Sequence, residues 1–515
     1  MKIALAFVSI IVAAVPLPIA AQLDPRTMPK VGSVDPRFQS YNVEMVEVIG
    51  GRFWKPYASA KTAAPSALGT PGGIDPALFE QRKPIDLSNP RLRKLAVALG
   101  PAYIRVSGTW ANTVYFQDSD APAPAAPPTG FGGVLTRAEW KGVVDFSKAV
   151  NGEIVTSFST GQGTRDSKGV WTPVEAKKFL DYTHSIGGKI AAAEFMNEPT
   201  FVTAAGVPDG YDGAAYGRDF AVFQPYIRKA APEALLLGPG SVGEGIDFIP
   251  MKLLPSKELL KGMGPNAVDV FSYHFYGGVS ERCSAGIAGS SGTSREAALT
   301  QDWLSKTGTV EDFYAGLRDT YAPGKPMWLT ETGQTACGGD RWAATFLDTF
   351  RYVDQMGRLA KRNVKVIMHN TLAASDYALI DEQTLTPRPN YWAALLWHTT
   401  MGETVLDAGT SPSSDVHLYA HCMKRAPGGV TLLALNLSRT EPQTINVTDA
   451  SVRYTLTAPG LESHVVELNG KEPKVSAGGD VPNLEGVGTA KGSIRLPAAS
   501  ITFLAMPRAG NAACP

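Results

Sequence analysis

A (β/α)8 barrel followed by a C-terminal antiparallel β-sandwich is the fold that this 515-residue sequence predicts, and two observations carry it. Short β-branched runs alternate with segments of helical character from residue 41 to residue 375, the pattern of a parallel sheet covered by helices. After Met401 the texture becomes alternating apolar and polar stretches divided by Gly, Pro, Asn and Ser, as in a sandwich of about a hundred residues. The length, divided by about 150, allows two or three domains.

In chain order, residues 1–21 carry one Lys, an apolar run and the small pair Ala20–Ala21, the layout of a secretory signal peptide cut after Ala21. That places the mature chain outside the cell or in the periplasm, where cysteines can pair, with no stable membrane association after cleavage. Strands are expected at 41–48, 102–106, 153–158, 189–195, 235–237, 268–275, 327–330 and 364–369. Helices are expected at 90–99, 136–150, 172–186, 219–231, 310–321, 342–362 and 389–400. Eight strands close naturally as a barrel over 36–402, leaving 403–515 as the sandwich, to which residues 22–35 add. A Pro/Ala/Gly loop at 121–133 and a Gly/Ser/Ala loop at 277–292 both follow strand C-termini, the barrel face where active sites are built.

Composition excludes several classes. Lys+Arg and Asp+Glu are equal at 48, so the chain lacks the basic footprint of a nucleic-acid binder. Four cysteines are too few for a disulfide scaffold or a zinc-ribbon array. The seven histidines include no His-Glu-x-x-His pair, and His417 and His421 share at most one strand face, so no metal or cofactor is expected. Gly238–Pro239–Gly240–Ser241 reads as a turn without a phosphate-binding lysine.

The chemical signal is a pair of carboxylates. Strand four ends in Asn197–Glu198–Pro199 and strand seven in Thr330–Glu331, so two glutamates face each other across the barrel mouth. Retaining glycoside hydrolysis needs such a pair about 5–5.5 Å apart, one protonated to donate to the leaving oxygen and one ionised to attack the anomeric carbon. Glu198 reads as the acid/base, because Asn197 can hold the sugar 2-hydroxyl, and Glu331 reads as the nucleophile. Alternation in strand six puts His274 and Tyr276 on one side, His274 to orient a carboxylate and Tyr276 to donate to the nucleophile. Asp376 and Asp381 read as turn formers.

With these residues in view, the chain resembles the heparanase-like β-glucuronidases of glycoside hydrolase family 79. The resemblance runs through 100–109 (GPAYIRVSGT), 195–199 (FMNEP), 328–332 (WLTET), 377–382 (YALIDE) with 389–392 (PNYW), and then 418–422, 466–470 and 511–514 in the sandwich. It implies hydrolysis of β-linked glucuronides with retention. It also implies that the backbone amides of Gly338 and Gly339, together with Tyr377, hold the uronate carboxylate, and that Cys422 pairs with Cys514. Only the short 121–133 stretch stands where heparanase carries a long excised segment, so a single unprocessed chain is expected beyond signal removal. Cys337 replaces an aromatic before the Gly pair, and its expected partner is Cys283 in the enlarged strand-six loop, narrowing the cleft. The expected substrate is a uronate-containing oligosaccharide or glycan. The alternatives are endo-cleavage of glucuronate-containing glycosaminoglycans, a barrel glycosidase for a neutral sugar, and a catalytically inactive carbohydrate-binding protein.

Overall fold

The computed structural model describes residues 22–58, 75–248, 250, 252–284 and 292–515. The signal-peptide segment and most of the 277–292 loop beyond Ser284 lie outside the described residues. Eight parallel strands close a barrel in chain order: β1 (Gln39–Asn42), β2 (Ala102–Val106), β3 (Gly152–Ser157), β4 (Ile190–Glu194), β5 (Leu235–Ser241), β6 (Val270–Phe275), β7 (Met327–Thr332) and β8 (Val366–His369), with β8 pairing back onto β1.

The barrel interior is layered. Tyr103, Val155, Ala192, Leu237, Val270, Trp328, Val366 and Met368 form an apolar plug at its base. Two residues further along β2 and β4 the inward positions become Arg105 and Glu194, both buried. The opposite strand faces, with Ile104, Ile154, Phe271 and Leu329 among them, pack under the helices in the main core. Strands buried on both sides explain why these runs are nearly continuous in apolar residues.

Three expectations are corrected here. The first strand stops at Asn42, and Met45–Ile49 is a short helix opened by a reciprocal capping box between Glu44 and Glu47; the β-branched run Val43–Val48 concealed this. The 238–241 segment is not a turn but the end of β5. The helix expected at 219–231 starts earlier, as Gly213–Ala230, where Asp212 caps by accepting from the Ala215 N–H. Its early glycines blurred the helical period and serve packing: a Cβ on Gly217 would lie 2.3 Å from the Gly262 carbonyl in the unpredicted helix Ser256–Met263.

The C-terminal part is a β-sandwich. One sheet contains Met401–Leu406, Val416–Met423, Val430–Asn436, Ser500–Met506 and Ser451–Thr457, with Lys30–Ser33 added at one edge. A smaller sheet pairs Gln443–Val447 with Gly492–Leu496 and with Gln22–Leu23. Leu406, Leu432, Ala434, Ile445, Ile494 and Leu504 fill the space between the sheets. Cys422 and Cys514 are disulfide-bonded across a sequence separation of 92 residues. The other face of the large sheet lies on the barrel, where Tyr419 and His417 both hydrogen-bond Asp354 of helix Phe346–Lys361 at 2.5 Å.

Candidate active site

Glu198, His274 and Glu331 meet at the C-terminal mouth of the barrel, their nearest ligand-type atoms all within 4.8 Å of one another. Each is placed by a local device. The Asn197–Glu198 turn is clamped by Asn112, which accepts from the Asn197 N–H at 2.8 Å and donates to the Asn197 carbonyl at 2.9 Å. Glu198 itself has φ +46°, a left-handed conformation that costs energy outside glycine and persists only where the surroundings fix it. In β7 one extra residue is accommodated against both neighbours: Leu329 and Glu331 stand opposite successive residues of β6, Tyr273 and His274. This bulge lets two consecutive side chains reach the interior. Thr330 Oγ1 donates to Glu194 at 2.9 Å, while Glu331 meets Arg105.

Arg105 is the charge at the centre. Its Nε and Nη2 donate to Glu194 Oε2 at 3.0 and 2.8 Å, Nη1 to Glu331 Oε2 at 2.9 Å, and Nη2 to Asn197 Oδ1 at 2.8 Å. Nη2 also lies 3.2 Å from His274 Nε2. A guanidinium carries only donors, so a proton on His274 Nε2 would oppose it; the imidazole proton sits on Nδ1, from which it donates to Glu198 Oε1 at 3.1 Å. Burial draws the His274 pKa down to about 4, more than the neighbouring Glu331 raises it, so the ring is neutral at ordinary pH.

The carboxylates around this one cation are in different states. Burial pushes Glu198 up to about 7, although Arg105 pulls the other way. Glu194 is held below the usual carboxylate range: burial acts to raise it, but the charge and hydrogen bonds of Arg105 and the Thr330 hydroxyl outweigh that. Glu44, at the end of β1, is pushed well above its ordinary value by burial and by Glu331. Glu331 accepts a second hydrogen bond, from Tyr276 Oη at 2.9 Å. Asn370 Nδ2 joins the far side, within 2.9 Å of Glu44 Oε1, 3.1 Å of Tyr276 Oη and 3.0 Å of Tyr377 Oη. Glu198, His274 and Glu331 could together ligate a cation, but the guanidinium against Glu331 and Glu194 already fills that electrostatic role.

The structure brings the sequence-predicted residues Asn197, Glu198, His274, Tyr276, Glu331 and Tyr377 into one constellation. Gly339 borders it, since a Cβ there would lie 3.2 Å from the Tyr377 ring, and one on Gly338 would lie 2.8 Å from Trp54. Cys283 and Cys337 are disulfide-bonded beside the Gly pair. Asp376 and Asp381 both stand in turns, as expected: the Ala378 N–H donates to the Ser375 carbonyl at 3.3 Å across Asp376, which also pairs with Arg282, and Asp381 accepts from the Thr384 N–H. Sequence reading missed Arg105, Glu194, Asn112, Glu44 and Asn370. A signal existed for Arg105, a lone charge inside an otherwise apolar strand, because a fully buried charge must be paired.

A closed eight-stranded barrel with paired glutamates beyond β4 and at the end of β7 fits an O-glycosyl hydrolase, and the family of the chain shows it to be one. The family model for glycosyl hydrolase family 79, N-terminal domain, matches residues 83–357, more than half the chain, and the protein belongs to that family. It is similar to heparanase-like protein 1 of Arabidopsis thaliana, 28% identical and covering 84% of this chain and 86% of the relative. It is also similar to the hyaluronoglucuronidase of Hirudo nipponia, 27% identical over 76% of this chain and 84% of that one. Among solved structures, the 4-O-α-L-rhamnosyl-β-D-glucuronidase of Fusarium oxysporum shares the fold at a TM-score of 0.63 and 14% identity, covering 94% of this chain and 100% of that one.

Proposed function

We propose that this enzyme hydrolyses β-linked glucuronides with retention of configuration, with Glu198 as acid/base and Glu331 as nucleophile. The observation that carries the reading is the closeness of the two carboxyl groups, within 4.8 Å at their nearest ligand atoms. That spacing suits direct attack; an inverting pair stands about 6.5–9.5 Å apart to admit a water. The names of the relatives, a hyaluronoglucuronidase among them, support a glucuronide as the substrate.

The chemistry follows from the proton placement. His274 donates to Glu198 Oε1, so the carboxylic proton of Glu198 sits on Oε2, available to the glycosidic oxygen. As that oxygen takes the proton and its bond to the anomeric carbon breaks, Glu331 forms a bond to the same carbon from the other face. The donors Arg105 and Tyr276 hold Glu331 in one orientation. Glu198, now ionised, takes a proton from water, the hydroxide attacks the anomeric carbon, and Glu331 leaves. Asn197, with Oδ1 bound to Arg105, presents its amide nitrogen to the 2-hydroxyl. The Gly338 and Gly339 amides and the Tyr377 phenol receive the uronate carboxylate, since glycine lets the backbone approach an anion closely.

A panel of aryl glycosides tests the reading. Turnover is expected on the aryl β-glucuronide in preference to the β-glucoside and β-galactoside, and Glu331→Ala is expected to cost about 10³-fold or more in kcat. Preference for a neutral glycoside, or an active Glu331→Ala enzyme, would refute it.

A further inference from the structure

Three consecutive residues, Cys337, Gly338 and Gly339, have φ of +64°, +78° and +87°. Each of their carbonyls accepts a hydrogen bond from a neighbouring loop: Cys337 from Ser280 Oγ at 3.2 Å, Gly338 from the Asp376 N–H at 3.2 Å, and Gly339 from Arg282 Nη2 at 3.4 Å. The amides of Gly338 and Gly339 donate to no acceptor among the described residues. The turn is therefore tied from its carbonyl side only.

Arg282 joins these ties. Its guanidinium pairs with Asp376, whose backbone N–H holds Gly338, and Nη1 donates to the Lys55 carbonyl at 2.6 Å. It stacks 3.9 Å from the centre of the Tyr57 ring, and Arg341, two residues after Gly339, lies 4.5 Å from the same ring. The next residue, Cys283, is bonded to Cys337, so the covalent link and the guanidinium grip opposite ends of the same turn. With only 5% of its side chain exposed and its charge matched by Asp376, Arg282 is built into the wall.

We propose that Arg282 and the Cys283–Cys337 disulfide are the positioning device for acid-sugar recognition, fixing the Cys337–Gly339 turn by its carbonyls so that two glycine amides stay free for a carboxylate. Arg282 acts through the turn and does not touch the sugar. The inference rests on the uronate reading above and specifies what in this chain sustains it.

The test compares an aryl β-glucuronide with its methyl ester, which lacks the negative charge, in wild type, Arg282→Met, Arg282→Lys and the double variant Cys283→Ser/Cys337→Ser. For Arg282→Met the KM for the free acid is expected to rise about tenfold with kcat within about twofold, while the ester kinetics stay unchanged. Arg282→Lys, which keeps the charge but loses the fork, should recover only part of the loss, and the double cysteine variant should shift KM in the same direction. Unchanged acid-over-ester preference in the variants overturns the proposal, as does an equal loss on both substrates. If Arg282→Met does not fold, the Lys and double cysteine variants decide by the same ratio. A wild-type enzyme without preference for the acid would instead overturn the uronate reading itself.

Discussion

Glu198 and Glu331 are the same residue type a few ångströms apart, and the roles proposed for them separate because their neighbours differ. Glu331 faces a guanidinium and a phenol, both donors, whereas Glu198 meets one imidazole N–H and is otherwise half-buried at the mouth. Burial is what raises Glu198 to about 7. A general acid must be protonated to act, so its contribution is present below that value and lost as pH rises through it. The expected profile of kcat/KM on an unactivated glucuronide falls on the alkaline side with an apparent pKa near 7. Glu198→Gln, assayed on a substrate whose leaving group needs no proton so that turnover survives, should show no limb near 7; a limb that persists there would mean that a group other than Glu198 sets it.

At the scale of elements, the two glutamates were legible because each closes a recognisable strand, and the pairing of His274 with Tyr276 followed from strand alternation. The bulge in β7 was not legible: it depends on the register against β6 and β8, which no local pattern records. Asn112 and Asn370 were invisible for a related reason, since one reaches the site from the short 3-10 helix Thr109–Thr113 and the other from the loop after β8, and they partner residues 85 and 326 positions away. The first strand was over-extended because its β-branched residues favour a strand, and the capping box that opens the short helix overrides that preference. The same limit applies to Gly357, in the middle of the helix Phe346–Lys361. A Cβ there would lie 2.2 Å from Tyr419 Cγ, so the glycine admits the sandwich against the barrel. Gly357→Ala gains helix propensity yet overpacks this contact, and is expected to destabilise by about 1–3 kcal/mol in denaturant unfolding. A stabilised variant would show that the two parts do not dock here.

For the whole molecule, equal numbers of acidic and basic residues set how an acidic substrate can be recognised. There is no net field to draw it in, and the charges at the mouth are matched locally: Arg105 with Glu194 and Glu331, Arg282 with Asp376. In the proposed reading recognition depends on short-range amides and a phenol, which salt screens little. The KM for a small glucuronide should change by less than about twofold between roughly 0.05 and 0.5 M salt, and a steep rise would instead point to long-range attraction.

Retention of configuration is the central claim, because it joins the spacing of the two carboxyl groups to their assigned roles. Proton NMR of the reaction on an aryl β-glucuronide, recorded before the released sugar mutarotates, observes it directly. The β-anomer of the free sugar is expected to appear first and the α-anomer to grow in later; an α-anomer as the first product would contradict direct attack by Glu331.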